Sequence, residues 1–370
     1  MAHHFSDRSG VTKELCSWIH GLSLSNVPEN VRTRVKYLIL DGLCCAISGI
    51  IFHGLKTAKG VFAIEPEGQR VVWGNLAPFL LLYTEIQSFE IDDWHMLAPV
   101  HSNSIVLPAL LAATGQKKTE GLATFDGTSL SLSTIVGYEG GYVGIKNVFE
   151  EPYGGFFSTI GQNYGKEPPY LTEELTKGLG QLWQSDNIRV KSHASMAGTH
   201  YAINTVASLQ KEHPHKLTDL KNLISIKTKC PRLPSSMEGG RRSDRYLLGG
   251  TNAALPQEFR HDLLGRDVIW TLIDKTACFH EPELGRSTSN GSPLRWRMDA
   301  RSQKHWQPPP MMLHQDWRMM RLAKFQKFTT GIIDGGRRDD IERMGLNLKS
   351  VHDISDLEEL LAGRTANPIE

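Results

Sequence analysis

Cysteine is scarce in this chain, and what there is follows no framework. Cys16, Cys44, Cys45, Cys230 and Cys278 make an odd set without a Cys-x-x-Cys pair. That excludes a disulfide scaffold, a zinc knuckle and a cysteine-held iron–sulfur cluster as organising features. Long apolar runs are also lacking: Ala77–Tyr83 and Ile105–Ala113 fall well short of the roughly 20 residues a membrane helix needs. No excess of either charge exists, with 41 Lys and Arg against 40 Asp and Glu, so whole-surface steering toward nucleic acid or an anionic membrane is not expected. The first fifteen residues mix His, Asp, Glu and Lys, without the apolar core of a signal peptide or the acid-poor face of a transit peptide. The expectation is a soluble, cytoplasmic protein in a reducing compartment. The glycines at Gly137, Gly140, Gly141 and Gly144 form no dinucleotide fingerprint, and no cofactor is expected.

What is present is mostly helical pattern. A chain of 370 residues suggests two domains at roughly 100–200 residues each. Leu15, Trp18, Ile19 and Leu22 share one face of a helix over Thr12–Leu22. Pro28 opens a second helix, striped by Val31, Val35, Leu38, Ile39 and Leu43 and interrupted, without ending, at Asp41 and Gly42. Helices are also expected over Ala77–Gln87 and over Ile105–Ala113, where Pro108 implies a kink or a late start. After Trp183 the texture becomes strand–helix–strand: Asn187–His193, Ala194–Gln210, Leu223–Lys229. Ser235–Gly250 and Arg295–Arg321 show no period, and helices return at Leu322–Thr329, Arg337–Leu348 and Ile354–Leu361, the last with Ser355 as its expected cap. The resulting division is a helical part over 1–184, an α+β part over 185–321 and C-terminal helices over 322–370.

One segment concentrates chemistry. Glu90, Asp92, Asp93, His95 and His101 fall within twelve residues at the end of an apolar helix. Crowded carboxylates raise one another's pKa and an imidazole can share the proton, which suits general acid–base catalysis. The plain alternative is a solvated helix end with Asp92 and Asp93 facing water. A metal site is a third reading, but no His-x-x-x-His on one helical face supports it. The second feature is Lys191 at a strand end, followed by His193 and His200. A lysine there clamps carboxylates as a point charge, or it merely guards an edge strand. The two histidines are as readily structural as functional. A basic, aromatic surface for nucleic acid is an alternative use of the two aperiodic stretches, although no recognised binding fold accompanies them.

Glu90-Ile91-Asp92-Asp93-Trp94-His95, followed by His101-Ser102 and the run to Pro108, resembles the site motif of the MmgE/PrpD family of 2-methylcitrate dehydratases and cis-aconitate decarboxylases, closest to the fungal decarboxylase-like members. Leu15–Ile19, Tyr37–Gly42, Tyr153–Phe156, Glu167–Tyr170, Ile188–Lys191 and the region from Lys324 to Leu361 resemble it in the same order. The resemblance implies a mainly α fold, with a helical domain built from both chain ends and an α+β lid between them. It implies metal-free lyase chemistry on a citrate-like tricarboxylate, dehydration or decarboxylation, in a homodimer, with neither membrane nor nucleic acid as partner. A fungal secondary-metabolite pathway is one setting it suggests. Matched position by position, Glu90 and Asp93 are the paired acids, His101 the proton carrier and Lys191 the lid lysine. His95, Asp92 and His200 are candidate substrate contacts. Trp94 stands where many members carry threonine. Members are also longer: between Asn147 and Glu150 the chain passes directly to the Tyr153–Phe156 block, omitting a stretch that normally supplies another site histidine and lysine. A remodelled, non-catalytic relative that pairs with or regulates a full-length homologue is therefore the competing expectation.

Overall fold

The computed structural model describes residues 10–51, 82–83, 85–95, 100–115, 147–160, 170–196, 200, 203–204, 207, 211, 225–230, 255–280, 317–367 and 369. The glycines from Gly137 to Gly144 and the aperiodic Ser235–Gly250 lie outside these residues.

Among the described residues the structure is mainly helical. Helix α1 spans Val11–Gly21 and α2 spans Glu29–Gly49, entered through Pro28. Helix α3 covers Ser102–Gly115, α4 covers Asp267–Asp274, α5 covers Trp317–Thr329, α6 covers Gly335–Leu346 and α7 covers Ser355–Ala362. Four short strands complete it. Strand β1 (Trp94–His95) pairs antiparallel with β2 (Ile188–Arg189), and β3 (Ile226–Cys230) pairs parallel with β4 (Thr276–His280). The strands expected over Asn187–His193 and Leu223–Lys229 thus appear as shorter segments, the first only two residues long.

Helix α2 is the centre of the core. The sequence stripe predicts one buried face, but every residue from Leu38 to Gly49 is buried. The reason is coverage from several sides: α3, α5 and α6 all pack on α2, so an all-round apolar helix has no face left for water. Leu40, Leu43 and Ile47 are fully enclosed, and such a side chain contributes about 1.5–3 kcal/mol by burial. Cys44 and Cys45 are enclosed with them, as small hydrophobes. Burial pushes the Cys44 thiol up to about 12 and keeps it unreactive. Gly42 is where α3 approaches: a Cβ there would meet Leu107 Cδ2 at 2.6 Å.

Pro108 lies inside α3, and the helix starts six residues before it, earlier than expected. Asn103, in the first turn, donates from Nδ2 to the Leu38 carbonyl oxygen at 2.9 Å, fastening α3 to α2. At the other chain end, α5 begins at Trp317, so the boundary expected at 322 falls within a single helix. Asp334 caps α6 by accepting from Arg337 N at 2.9 Å. The Arg337 guanidinium reaches back to the Leu360, Leu361 and Arg364 carbonyl oxygens at the end of α7. It satisfies acceptors that a helix C-terminus leaves open. Ser355 does not cap α7; its backbone N–H donates to Asp353 Oδ1 at 2.9 Å instead. An aspartate two residues earlier reaches that N–H more readily than the hydroxyl of a residue already inside the helix.

Gly49, at the end of α2, lies so close to the Glu85 carbonyl that a Cβ would stand 1.9 Å from its oxygen. Backbone cannot yield there as a side chain would. Gly49→Ala is expected to lower stability by about 1–3 kcal/mol in urea denaturation, and by more than an alanine at the uncrowded Gly21, where no neighbour lies within 4 Å.

Candidate active site

The candidate residues meet because two extended fragments pair. Past Gln87 the chain turns sharply: Glu90 N–H donates to the Gln87 carbonyl oxygen, and Glu90 adopts φ 56°. A left-handed glutamate costs about 1–2 kcal/mol, which the surroundings must offset. Ile91 then enters the core, Asp92 and Asp93 are enclosed, and β1 follows. Trp94 pairs with Arg189 and His95 with Ile188, which carries Lys191 back to the acids. Arg34 of α2 holds this second fragment by donating to the Ser185, Asp186 and Ile188 carbonyl oxygens.

Asp92 is the hub. Its Oδ2 lies 2.9 Å from His101 Nδ1 and its Oδ1 lies 3.3 Å from Lys191 Nζ, which also donates to Glu90 Oε2 at 3.1 Å. Lys191 and Asp92 are each only 1% exposed, whereas the Glu90 side chain is half exposed and that of His101 about a third. The two enclosed charges therefore form the floor, with the imidazole and the outer carboxylate toward solvent. Neither plain alternative holds: Asp92 and Asp93 do not face water, and Lys191 guards no exposed edge.

Asp93 does something different from its neighbour. Its Oδ1 accepts from the Asn103 backbone N–H at 2.9 Å and its Oδ2 from the Ser102 hydroxyl, so it closes the N-terminal turn of α3. The carboxylate on His101 is thus Asp92, whereas Asp93, expected as one of the paired acids, turns to α3. Successive side chains of an extended segment point to opposite sides, so only one of two adjacent aspartates can reach it. Burial raises the Asp93 pKa to about 6, against the hydrogen bonds from Ser102 and Asn103.

The other candidates stand further out. His95 Nε2 lies 3.2 Å from Gln184 Oε1, beside β2. His200 stacks edge-on against His193, ring centres 5.1 Å apart, and its Nε2 faces the Ser195 carbonyl oxygen at 3.3 Å. Burial, then His193, pushes His200 down to about 3, so it is neutral near pH 7 and acts as a donor to that carbonyl. His193 meets Asn204 Oδ1 at 2.9 Å. Among the described residues no group of three or more His, Cys, Asp or Glu is arranged for a metal ion. A cavity of about 810 Å³ opens between α6 and α7, lined by Asp340, Arg343, His352 and Glu359 among others, and contains none of the candidate residues. The acid–imidazole cluster differs from that cavity in holding an enclosed ion pair, Lys191 and Asp92, where Arg343 and Asp340 of the cavity are exposed.

Sequence reasoning passed over Arg34 and Asn103 and gave Ser102 no role of its own, although all three position the site. Arg34 carried no local signal, because its acceptors lie about 150 residues away. A Ser-x-x-Gln/Glu box search would also miss Asp93, which stands nine residues before Ser102.

A carboxylate–imidazole–ammonium chain of this kind is chemically able to relay a proton and to attract an anionic group. Residues 13–161 match the MmgE/PrpD N-terminal domain. It is similar to the cis-aconitate decarboxylase-like protein oryM of Aspergillus oryzae, 27% identical over 480 aligned positions that cover 95% of this chain and 97% of the relative. It is similar in the same degree to the cis-aconitate decarboxylase of Aspergillus terreus, 27% identical over 481 positions and 98% of each chain. Because this chain has 370 residues, more than a hundred of those positions face a gap in it. Among the described residues no helix is long and apolar enough to cross a membrane.

The folded-state pKa of Asp93, about 6 against an ordinary 3.8, means the folded protein retains a proton that the unfolded chain releases across that window. The contribution of Asp93 to stability therefore falls as pH rises from about 4 to about 6. Asp93→Asn is expected to remove this slope, worth up to about 3 kcal/mol, as read from urea denaturation of both proteins at pH 4 and pH 6.5.

Proposed function

We propose that the protein is a lyase acting on a citrate-like polycarboxylate, either dehydrating an alkylcitrate or decarboxylating a cis-aconitate-type acid. The observation that carries this reading is the Asp92 carboxylate, with His101 on one oxygen and Lys191 on the other. The family match and the names of the Aspergillus relatives support it from outside the geometry.

Asp92 orients the His101 imidazole through Nδ1, which leaves Nε2 to carry the proton. In a dehydration, a base removes the proton next to a substrate carboxylate and an acid protonates the departing hydroxyl. In a decarboxylation, the carbon–carbon bond breaks, carbon dioxide leaves, and the electron pair left on carbon takes the proton. His101 is suited to delivering or accepting that proton in either case. Lys191 is the carboxylate clamp. The half-exposed Glu90 carboxylate, 3.1 Å from its ammonium, occupies the kind of position a substrate carboxylate would take, and Glu90 is the acid–base partner at the solvent side. Asp93 supports the frame through α3, with His95 and His200 at its margin. A metal-independent mechanism, an α+β lid that includes β3 and β4, a cytoplasmic homodimer and a role in fungal secondary metabolism complete the reading by analogy with the family.

The gap of more than a hundred aligned positions favours a second reading, a non-catalytic relative that pairs with a full-length member. Co-purification with such a member, without turnover of its own, would establish it; an in-frame exon between Asn147 and Glu150 in the transcript would remove its motive.

The test is turnover of purified, folded protein with 2-methylcitrate and with cis-aconitate, scoring the new double bond and released carbon dioxide. Turnover of one is expected, and turnover of neither ends the enzymatic claim for these substrates. His101→Asn is expected to lower kcat by about 10²–10⁴-fold without loss of fold. Lys191→Met breaks a buried pair and is expected to cost about 3–5 kcal/mol of stability as well as substrate affinity, read by denaturation and by KM.

A further inference from the structure

A second buried charge pair lies directly behind the acid loop. Lys324, on α5, is 4% exposed. Its Nζ donates to Asp41 Oδ1 at 2.6 Å and to the Ile91 carbonyl oxygen, and stands 3.7 Å from Cys45 Sγ. An ammonium has three donor hydrogens, and these three contacts account for them. Burial disfavours the charge on Lys324, yet Asp41, then the Cys45 and Cys44 sulfurs, more than offset this, and its pKa is raised. Burial in turn raises the Asp41 pKa, against the pull of Lys324.

We propose that Lys324 is a positioning residue of the candidate site, holding the Glu90–Asp93 loop through the Ile91 carbonyl. This rests on the lyase reading for its consequence but not for its geometry. Ile91 separates Glu90 from Asp92, the two carboxylates on Lys191, so fixing its carbonyl fixes the peptide plane from which Asp92 projects. Glu90 is held at φ 56°, a conformation that relaxes unless something pins the chain just beyond it. Lys324 also faces Asp41, whose other oxygen is buried without a hydrogen-bond partner among the described residues.

A purely structural role makes the opposite prediction. Replacing a buried ion pair by apolar groups of similar size is commonly neutral or stabilising. Only a positioning role makes that replacement harmful to the loop while the fold is kept.

The decisive variant is the double substitution Asp41→Leu/Lys324→Met, which leaves no lone charge. Two readouts are taken on the full chain: binding of tricarballylate, an unreactive tricarboxylate, by calorimetry, and amide exchange by NMR. Relative to exchange at Ile341 in α6, the Glu90 and Asn103 amides are expected to exchange more than about tenfold faster, the scale of a lost charged hydrogen bond. Tricarballylate affinity is expected to fall by a similar factor. Exchange at Glu90 and Asn103 that merely tracks Ile341 overturns the proposal. If the wild type does not bind tricarballylate, the lyase reading is what fails, and the exchange result still decides the role of Lys324. Should the double variant not fold, Asp41→Asn/Lys324→Gln keeps a polar contact between α2 and α5 but shortens the reach to Ile91, and the same exchange comparison applies.

Discussion

A carboxylate and an ammonium with almost no access to water must be paired, or the protein does not keep them charged. The pair Asp92–Lys191 is that constraint, and much of the described structure around it follows. Lys191 has to travel from a segment a hundred residues away, which is why so short a ladder as β1–β2 matters. Two residue pairs would not persist as a free hairpin. They persist here because Arg34 of α2 anchors the carbonyls on one side and the closed first turn of α3 anchors the other.

The same logic repeats one layer deeper. Asp41 and Lys324 join helices from opposite ends of the chain, and the Ile91 carbonyl lies between the two charge pairs. The helical core is therefore more than a platform. It meets the acid loop at a polar contact, where a side chain from α5 dictates how the loop is held. Apolar packing alone constrains volume and tolerates small slides; a directed hydrogen bond to one carbonyl constrains orientation, which is what a proton-transfer site requires.

How much of this was legible in sequence depended on range. Helices α1, α2, α6 and α7 were legible because their periodic residues lie within one turn of each other, and the acid–histidine cluster because its members are near neighbours. The partner of His101 was not, since Asp92 and Asp93 are chemically identical and the choice between them is set by which side of an extended segment each occupies. Asp41 showed only as a blemish in an apolar run, because its explanation, Lys324, lies 283 residues away. Trp317–Arg321 read as irregular because α5 begins with exposed Met319 and Met320, which blur its apolar face, and with Arg321, which is buried.

The shortening of the chain relative to its Aspergillus relatives bears unequally on these parts. Glu90, Asp92, His101 and Lys191 are all present and joined by contacts through Asp92 and Lys191, with Asp93 closing α3 beside them, so the missing positions do not dismantle the charge geometry. Proton transfer and charge pairing are decided within a few ångströms of Asp92, and that region is whole. Among the described residues the site's exposure is graded, from the buried Asp92 and Lys191 to the outer Glu90 and His101. An open site weakens every electrostatic interaction at its mouth, because water screens the outer groups, Glu90 and His101, far more than the enclosed Asp92 and Lys191. Solvent screening therefore acts on the two exposed groups, while the buried pair beneath them keeps its geometry.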